Sequence, residues 1–375
     1  MRKVFVNEPK LDGNEKKYLE ECIDTGWISF EGPFVKRLEE GMAHLTDRKY
    51  GVAVSNGSTA LETAIMALQL QAGDEVILPT FTIISCAAPI VRVGAKPVLV
   101  DSDAKTWNMR VEDIESKITK RTKAIMVVHI YGLPVDMKPV LALAEKYQLA
   151  IIEDAAEMHG QTYRDRPCGS FGDISTFSFY PNKHITSGEG GMVLTDSKAL
   201  AERMRAIRNL FFSEKKRYVH EELGYNFRMT NLQAAVGCAQ LKKLPSFIEK
   251  RRRNFAHLKA ALCSVADKLI LPEPCPHSEP SWFGFLLTCR EGVEREPIVR
   301  ALEAHGIQTR MLFAGNLVKH PCFDSLREAR SGYRIVGELT NTDRIMRDSF
   351  WVGLFPGMTE EKLSYMAEMI LEGLS

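Results

Sequence analysis

The chain has 375 residues, 45% of them apolar and 26% charged, with a net charge of +1. That length allows two domains and a sizeable core, while the ordinary composition and balanced charge exclude a disordered chain and give no basic excess for nucleic acid. Eight scattered cysteines, with no C-x-x-C pair and no histidine at zinc spacing, predict neither a disulfide framework nor a metal centre.

The N-terminus turns polar after Val6 and lacks the apolar stretch of a secretory signal, so a cytoplasmic protein is expected. The apolar run 77–91 is interrupted by Pro79, Thr80, Thr82 and Pro89, too short and broken to enter a membrane. From about 50 to 200, β-type runs alternate with helical spacing. Strands are predicted over 51–54, 75–78, 98–100, 124–128, 150–152, 174–179 and 192–195, with helices over 58–70, 111–118 and 139–147. This is the pattern of an α/β fold with a mainly parallel seven-stranded sheet flanked by helices. A helix over 231–244 and a basic one over 247–264 follow, then a proline-dense connection over 271–280. Strands over 283–288, 307–312 and 349–352 and helices over 296–305 and 360–374 predict a smaller C-terminal α+β domain. The expected division is 1–245 and 246–375, with the second unit closing over a ligand held by the first.

Three motifs carry chemistry. Ser55-Asn56-Gly57-Ser58-Thr59 reads as a strand, a glycine turn and a helix start, where free N–H groups and the helix dipole suit a phosphate. It is neither a Walker loop nor G-x-G-x-x-G. In Ile151-Ile152-Glu153-Asp154-Ala155-Ala156-Glu157 an apolar strand runs into an acid pair. Asp154 is then either a helix cap or a functional acid at the carboxyl end of a parallel strand, where a protonated pyridine would supply the cation that a buried carboxylate needs. Lys183 lies between the run Phe177-Ser178-Phe179 and the glycines 188, 190 and 191. It is either a surface lysine in a turn or an amine in a semi-buried pocket able to condense with an aldehyde. A phosphate cradle, an acid and an amine together meet the three needs of pyridoxal 5′-phosphate, PLP.

With these motifs, and with Asn14-Glu15, Thr25-Gly26-Trp27-Ile28-Ser29, Gly73-Asp74-Glu75-Val76-Ile77, Gly188-Glu189-Gly190-Gly191 and Asn226-Phe227-Arg228-Met229-Thr230-Asn231, the chain resembles the DegT/DnrJ/EryC1/StrS family of sugar aminotransferases over nearly its whole length. The resemblance implies the aspartate-aminotransferase fold, type I. It implies that Lys183 is the Schiff-base lysine, that Asp154 pairs with the pyridine nitrogen, that Gly57, Ser58 and Ser178 hold the phosphate, and that Ala156 touches one ring face. Glu157 stands where relatives carry Glu, Gln or His near the ring hydroxyl. Asn226 matches a residue that reaches the phosphate of the other subunit, which implies a homodimer with shared sites. Ile83 departs from the pattern, because relatives usually stack an aromatic residue on the ring there.

The stretch 311–321 and the run 334–356 are similar to the 4-keto-6-deoxyhexose 3-dehydratases of the same superfamily, which carry histidine in place of Lys183 and use it as a base with the free pyridoxamine form. The clustered cysteines of their iron–sulfur type are absent around 208–225. Lysine at 183 therefore favours transamination. The expected reaction moves an amino group from an amino acid, with L-glutamate the family's usual donor, through the pyridoxamine form of the cofactor to a nucleotide-linked 4-keto-6-deoxy sugar. GDP-perosamine-type synthesis for surface polysaccharide, the O-antigen of lipopolysaccharide, is the first expectation. Trp27, His184, Arg228, Asn316 and His320 are candidate substrate contacts, each of which could equally be a packed or solvated residue. A lysine-retaining dehydratase and a non-enzymatic PLP-binding regulator are the alternatives.

Overall fold

The structure, a computed structural model, describes residues 3–212, 218–328 and 332–374; residues 213–217, inside the stretch compared for clustered cysteines, lie outside it. Its strands are β1 (Tyr50–Val54), β2 (Glu75–Pro79), β3 (Lys96–Val100), β4 (Thr122–Val128), β5 (Ala150–Asp154), the short hairpin β6 (Thr162–Tyr163) and β7 (Arg166–Pro167), β8 (Ile174–Ser178), β9 (Gly191–Thr195), β10 (Leu269–Ile270), β11 (Phe285–Cys289), β12 (Thr309–Arg310), β13 (Arg334–Ile335) and β14 (Ser349–Val352). Its helices are α1 (Glu15–Thr25), α2 (Pro33–Leu45), α3 (Gly57–Ala67), α4 (Ile84–Arg92), α5 (Ile114–Lys117), α6 (Met137–Tyr147), α7 (Lys198–Arg208), α8 (Asn231–Ala261), α9 (Arg295–Ala304), α10 (Asp324–Glu328), α11 (Thr340–Asp348) and α12 (Glu360–Glu372).

The large sheet has eight strands in the order β1-β9-β8-β5-β4-β2-β3-β13, with only β9 antiparallel to its neighbours. All seven expected strands are present. Alternate residues feed two cores: Val52, Val76 and Met126 face one, packed by α3, α4 and α7, whereas Ala53, Ile77 and Ile125 face the other, packed by α2, α6 and the first half of α8. Burial on both faces explains why these strands read as unbroken apolar runs.

Two expectations are corrected. The sheet has an eighth strand, β13, from the C-terminal part of the chain. Arg334 docks it by gripping the fully buried Glu75 with Nε and Nη2, at 3.2 and 3.0 Å from the two carboxylate oxygens. The helices expected over 231–244 and 247–264 are one helix, α8, which runs through Pro245. It is started by a capping box of Thr230 and Gln233, and its second half packs Phe255 and Leu258 against the C-terminal region. There β10-β11-β14-β12 form an antiparallel sheet. Helices α1, α2, α4, α7, α10 and α11 went unread.

Of the adjacent acids at the end of β5, Glu153 holds the framework. Its carboxylate accepts hydrogen bonds from the N–H groups of Gly169, Phe171 (2.9 Å) and Gly172 (3.2 Å), and from Nε2 of His129 (3.0 Å), whose Nδ1 accepts from Val135. Burial acts to raise its pKa, but the hydrogen bond of His129 and those of the backbone outweigh it and hold the carboxyl below its ordinary 4.5. Its stabilising contribution is therefore present above pH 4.5 and lost as pH falls through the lower folded value. Glu153→Gln is expected to lose about 2 kcal/mol at neutral pH, by urea denaturation, and to show a shallower loss of stability with acid. An unchanged urea midpoint at neutral pH would contradict this role.

Candidate active site

The carboxyl ends of β1, β4, β5 and β8 open on one cavity of about 640 Å³, as expected for an open parallel sheet. Gly57, Ser58, Ile83, Asp154, Ala156, Glu157, Ser178 and Lys183 all line it. Phe283, Arg310, Met311, Phe313 and Trp351 close it from the C-terminal side.

At one end is the start of α3. Asn56 caps it by accepting from the N–H of Thr59 at 2.9 Å, which leaves the N–H groups of Gly57 and Ser58 at the dipole's positive end. Gly57 must be glycine, because a Cβ there would lie 2.8 Å from Cβ of Ser178. That close approach brings the Ser178 hydroxyl beside the helix start. Ser58 shares a hydrogen bond with Ser85 at 2.7 Å. An anionic phosphate fits here.

Asp154, on the same lining, is 5% exposed at the last position of β5. One carboxylate oxygen accepts from the N–H of Ala156 at 3.1 Å, and the other takes the thiol of Cys86 at 3.3 Å. Burial pushes this carboxyl up despite those bonds. Neither donor is a cation, so the acid retains a need for positive charge.

Lys183 lines the cavity too, and its Nζ donates to Oε1 of Glu157 at 2.8 Å, 4.7 Å from the centre of the Phe283 ring. Oε2 of Glu157 accepts from the N–H of Tyr131 at 2.7 Å. Burial raises the Glu157 carboxyl, and the charge of Lys183 opposes the rise. Glu157 thus holds the amine in place.

The other sequence candidates lie elsewhere. His184 is buried, with Nε2 on the carbonyl of Ser281, and burial drives its pKa well below the ordinary value. Asn316 is buried and donates to Asp343 at 2.7 Å, and His320 bonds the carbonyl of Ala314 at 2.6 Å. Asn226 is exposed, accepting from Arg228 at 2.7 Å, while Arg228 lies over the Phe30 ring and Trp27 is half exposed. None of these six lines the cavity. Sequence reasoning missed Tyr131, Cys86, Arg310 and the aromatic residues 283, 313 and 351. Tyr131 was findable, since it follows the end of a predicted parallel strand; the C-terminal residues carry no local signal.

Only a group that is at once aldehyde, potential cation and phosphate ester uses all three ends of this cavity, which makes the protein a PLP enzyme of fold type I. The comparisons agree. Residues 9–371 match the DegT/DnrJ/EryC1/StrS aminotransferase family. The GDP-perosamine synthase of Escherichia coli O157:H7 is 39% identical over 376 residues, 99% of each chain. The lipopolysaccharide biosynthesis protein RfbH of Salmonella typhimurium is 37% identical over 402 residues, 96% of this chain and 90% of its own. The solved structure of E. coli GDP-4-keto-6-deoxy-D-mannose-3-dehydratase with bound hydrated PLP has a TM-score of 0.91 at 27% identity, covering 99% of this chain and 100% of that one. The chain belongs to the DegT/DnrJ/EryC1/StrS aminotransferase family.

The raised pKa of Asp154 has a measurable sign. A carboxyl raised above 3.8 by folding favours the folded state at low pH and loses that contribution as pH rises through its folded value. Cofactor-free Asp154→Asn is therefore expected to be at least as stable at pH 7 as the parent, while turnover falls on the order of 10³-fold. A variant that is clearly less stable without cofactor would contradict this account of the acid.

Proposed function

We propose that this protein transfers an amino group from an amino acid, L-glutamate first, to the keto carbon of a GDP-linked 4-keto-6-deoxy sugar, forming a GDP-perosamine-type product for lipopolysaccharide O-antigen. The observation that carries this reading is the Nζ of Lys183 inside the cavity, paired with Glu157 at 2.8 Å. The names and coverage of the perosamine synthase and RfbH relatives support the substrate and pathway.

When bound, PLP supplies an electron sink for the carbon that loses its proton. Asp154 provides the negative charge that keeps a pyridine nitrogen protonated. The N–H groups of Gly57 and Ser58 and the hydroxyl of Ser178 would hold the phosphate. Lys183 would anchor the cofactor covalently and, with its amine free, would take a proton from Cα of the donor and, in the sugar half, return one to the carbon that receives nitrogen. Glu157 holds Nζ between these tasks. The aromatic residues of the C-terminal side exclude water.

The fold's likeness to a dehydratase supports a second reading, loss of the C3 oxygen. A histidine base is what that chemistry uses in the resembling enzymes, and the neighbouring histidine here, His184, is turned away onto the carbonyl of Ser281. Transamination remains the better account.

Shared sites in a homodimer are part of the proposal. Ile83, Tyr180 and Met311 are large apolar residues, 45%, 48% and 48% exposed, on the cavity's own lining. A second copy would cover them and bring Asn226 to the phosphate. The division near residue 245 would then fall within α8 as a shared spine, and a cytoplasmic setting suits a nucleotide-sugar substrate; no described helix is long and apolar enough to cross a membrane.

Incubation with the GDP-linked keto-sugar and glutamate is expected to give 2-oxoglutarate and an amino sugar in equal amounts. A product lacking oxygen at C3 would overturn the assignment. Lys183→Ala is expected to abolish turnover and the near-visible absorbance of lysine-linked cofactor, and retention of both would refute the anchor role.

A further inference from the structure

Tyr131 holds an unusual position in the cavity wall. It sits in the turn Ile130–Gly132 with φ 51° and ψ 31°, the left-handed region that a bulky residue enters only at a cost of about 1–3 kcal/mol. Its surroundings over-determine it. Its N–H is taken by Glu157, its carbonyl accepts from the N–H of Phe283 at 2.9 Å, and its phenol oxygen accepts from the N–H of Phe313 at 3.3 Å. Phe313 is itself left-handed, with φ 44°. The Tyr131 ring lies 4.9 Å from that of Phe313, 5.4 Å from Phe283 and 5.5 Å from Trp351.

With its oxygen already accepting from Phe313, the phenol still has a proton to give. Among the described residues no acceptor for it is found, although Tyr131 is 2% exposed and lines the cavity. Buried donors are normally satisfied. Burial, and then the charge of Glu157, push this phenol well above its ordinary value, so the group stays a donor throughout the working pH range.

We propose that the Tyr131 hydroxyl donates a hydrogen bond to an oxygen of the sugar beside the reacting carbon and is a specificity-determining residue for the sugar half of the reaction. The proposal rests on the reading of the acceptor as a keto-sugar. The wall around the hydroxyl favours a sugar over the amino-acid donor. Phe283, Phe313 and Trp351 offer apolar faces suited to the C–H bonds of a deoxyhexose. A donor carboxylate is better met by the cation of Arg310, the strand partner of Trp351 on the same lining, than by a neutral phenol beside the charge of Glu157.

The test separates the two half-reactions in the PLP-loaded enzyme by following cofactor absorbance in single turnovers. Tyr131→Phe keeps the ring contacts and the backbone N–H and removes only the hydroxyl. The glutamate half is expected to stay within about twofold of the parent, while kcat/KM for the keto-sugar falls about 10-fold, mainly through KM. Unchanged cofactor affinity, by absorbance titration, accompanies that result. Equal losses in both halves, or no loss in the sugar half, would overturn the proposal. A parent enzyme that does not aminate the keto-sugar would instead overturn the functional reading, and the proposal with it; one that does, beside an unaffected variant, sinks the proposal alone.

Discussion

A carboxylate buried at the end of an apolar strand, with only an amide and a thiol to meet it, is the constraint on which this site depends. Asp154 would be a liability in a protein with no cation to bring to it. Everything nearby follows from that need. The sheet places the acid on the cavity lining, and the start of α3 puts a helix N-terminus on the same lining.

The second organising element is the chain of contacts from Lys183 through Glu157 to Tyr131 and on to Phe283 and Phe313. It joins the amine, held by the large sheet's loops, to aromatic residues that arrive from the far side of the cavity. Because each link is a hydrogen bond with defined direction, the two sides of the cavity are positioned relative to one another and not merely packed. Arg251 adds to this from α8. Its fully buried guanidinium bonds the carbonyls of Trp282, Phe283 and Leu354, and burial lowers its pKa to about 9.

Much of the large sheet was legible in the sequence because each strand is buried on both faces and bounded by turn residues. That Ser58, Asp154 and Lys183 meet at one cavity was legible for a related reason: each lies at, or a few residues beyond, the carboxyl end of such a strand. Where the chain depends on distant partners the sequence was silent. β13 is held by the Arg334–Glu75 pair, 259 positions apart, and nothing local announces it. The helix expected to end at 244 runs on through Pro245, where packing on both halves overrides the proline. Glu153 and Asp154 read as one acidic pair, yet backbone donors from 169–172 claim the first and leave the second to the cavity. Phe283, Phe313 and Trp351 come from separate C-terminal segments and gain meaning only once folded together.

The central claim is that Lys183, and no other amine, carries the cofactor. Borohydride reduction of the PLP-loaded protein fixes the linkage, and peptide mass spectrometry then locates it. The account predicts a phosphopyridoxyl group on the peptide containing Lys183, which lies between Asn182 and His184. A modified lysine elsewhere, or a cofactor that reduction leaves free, would contradict it.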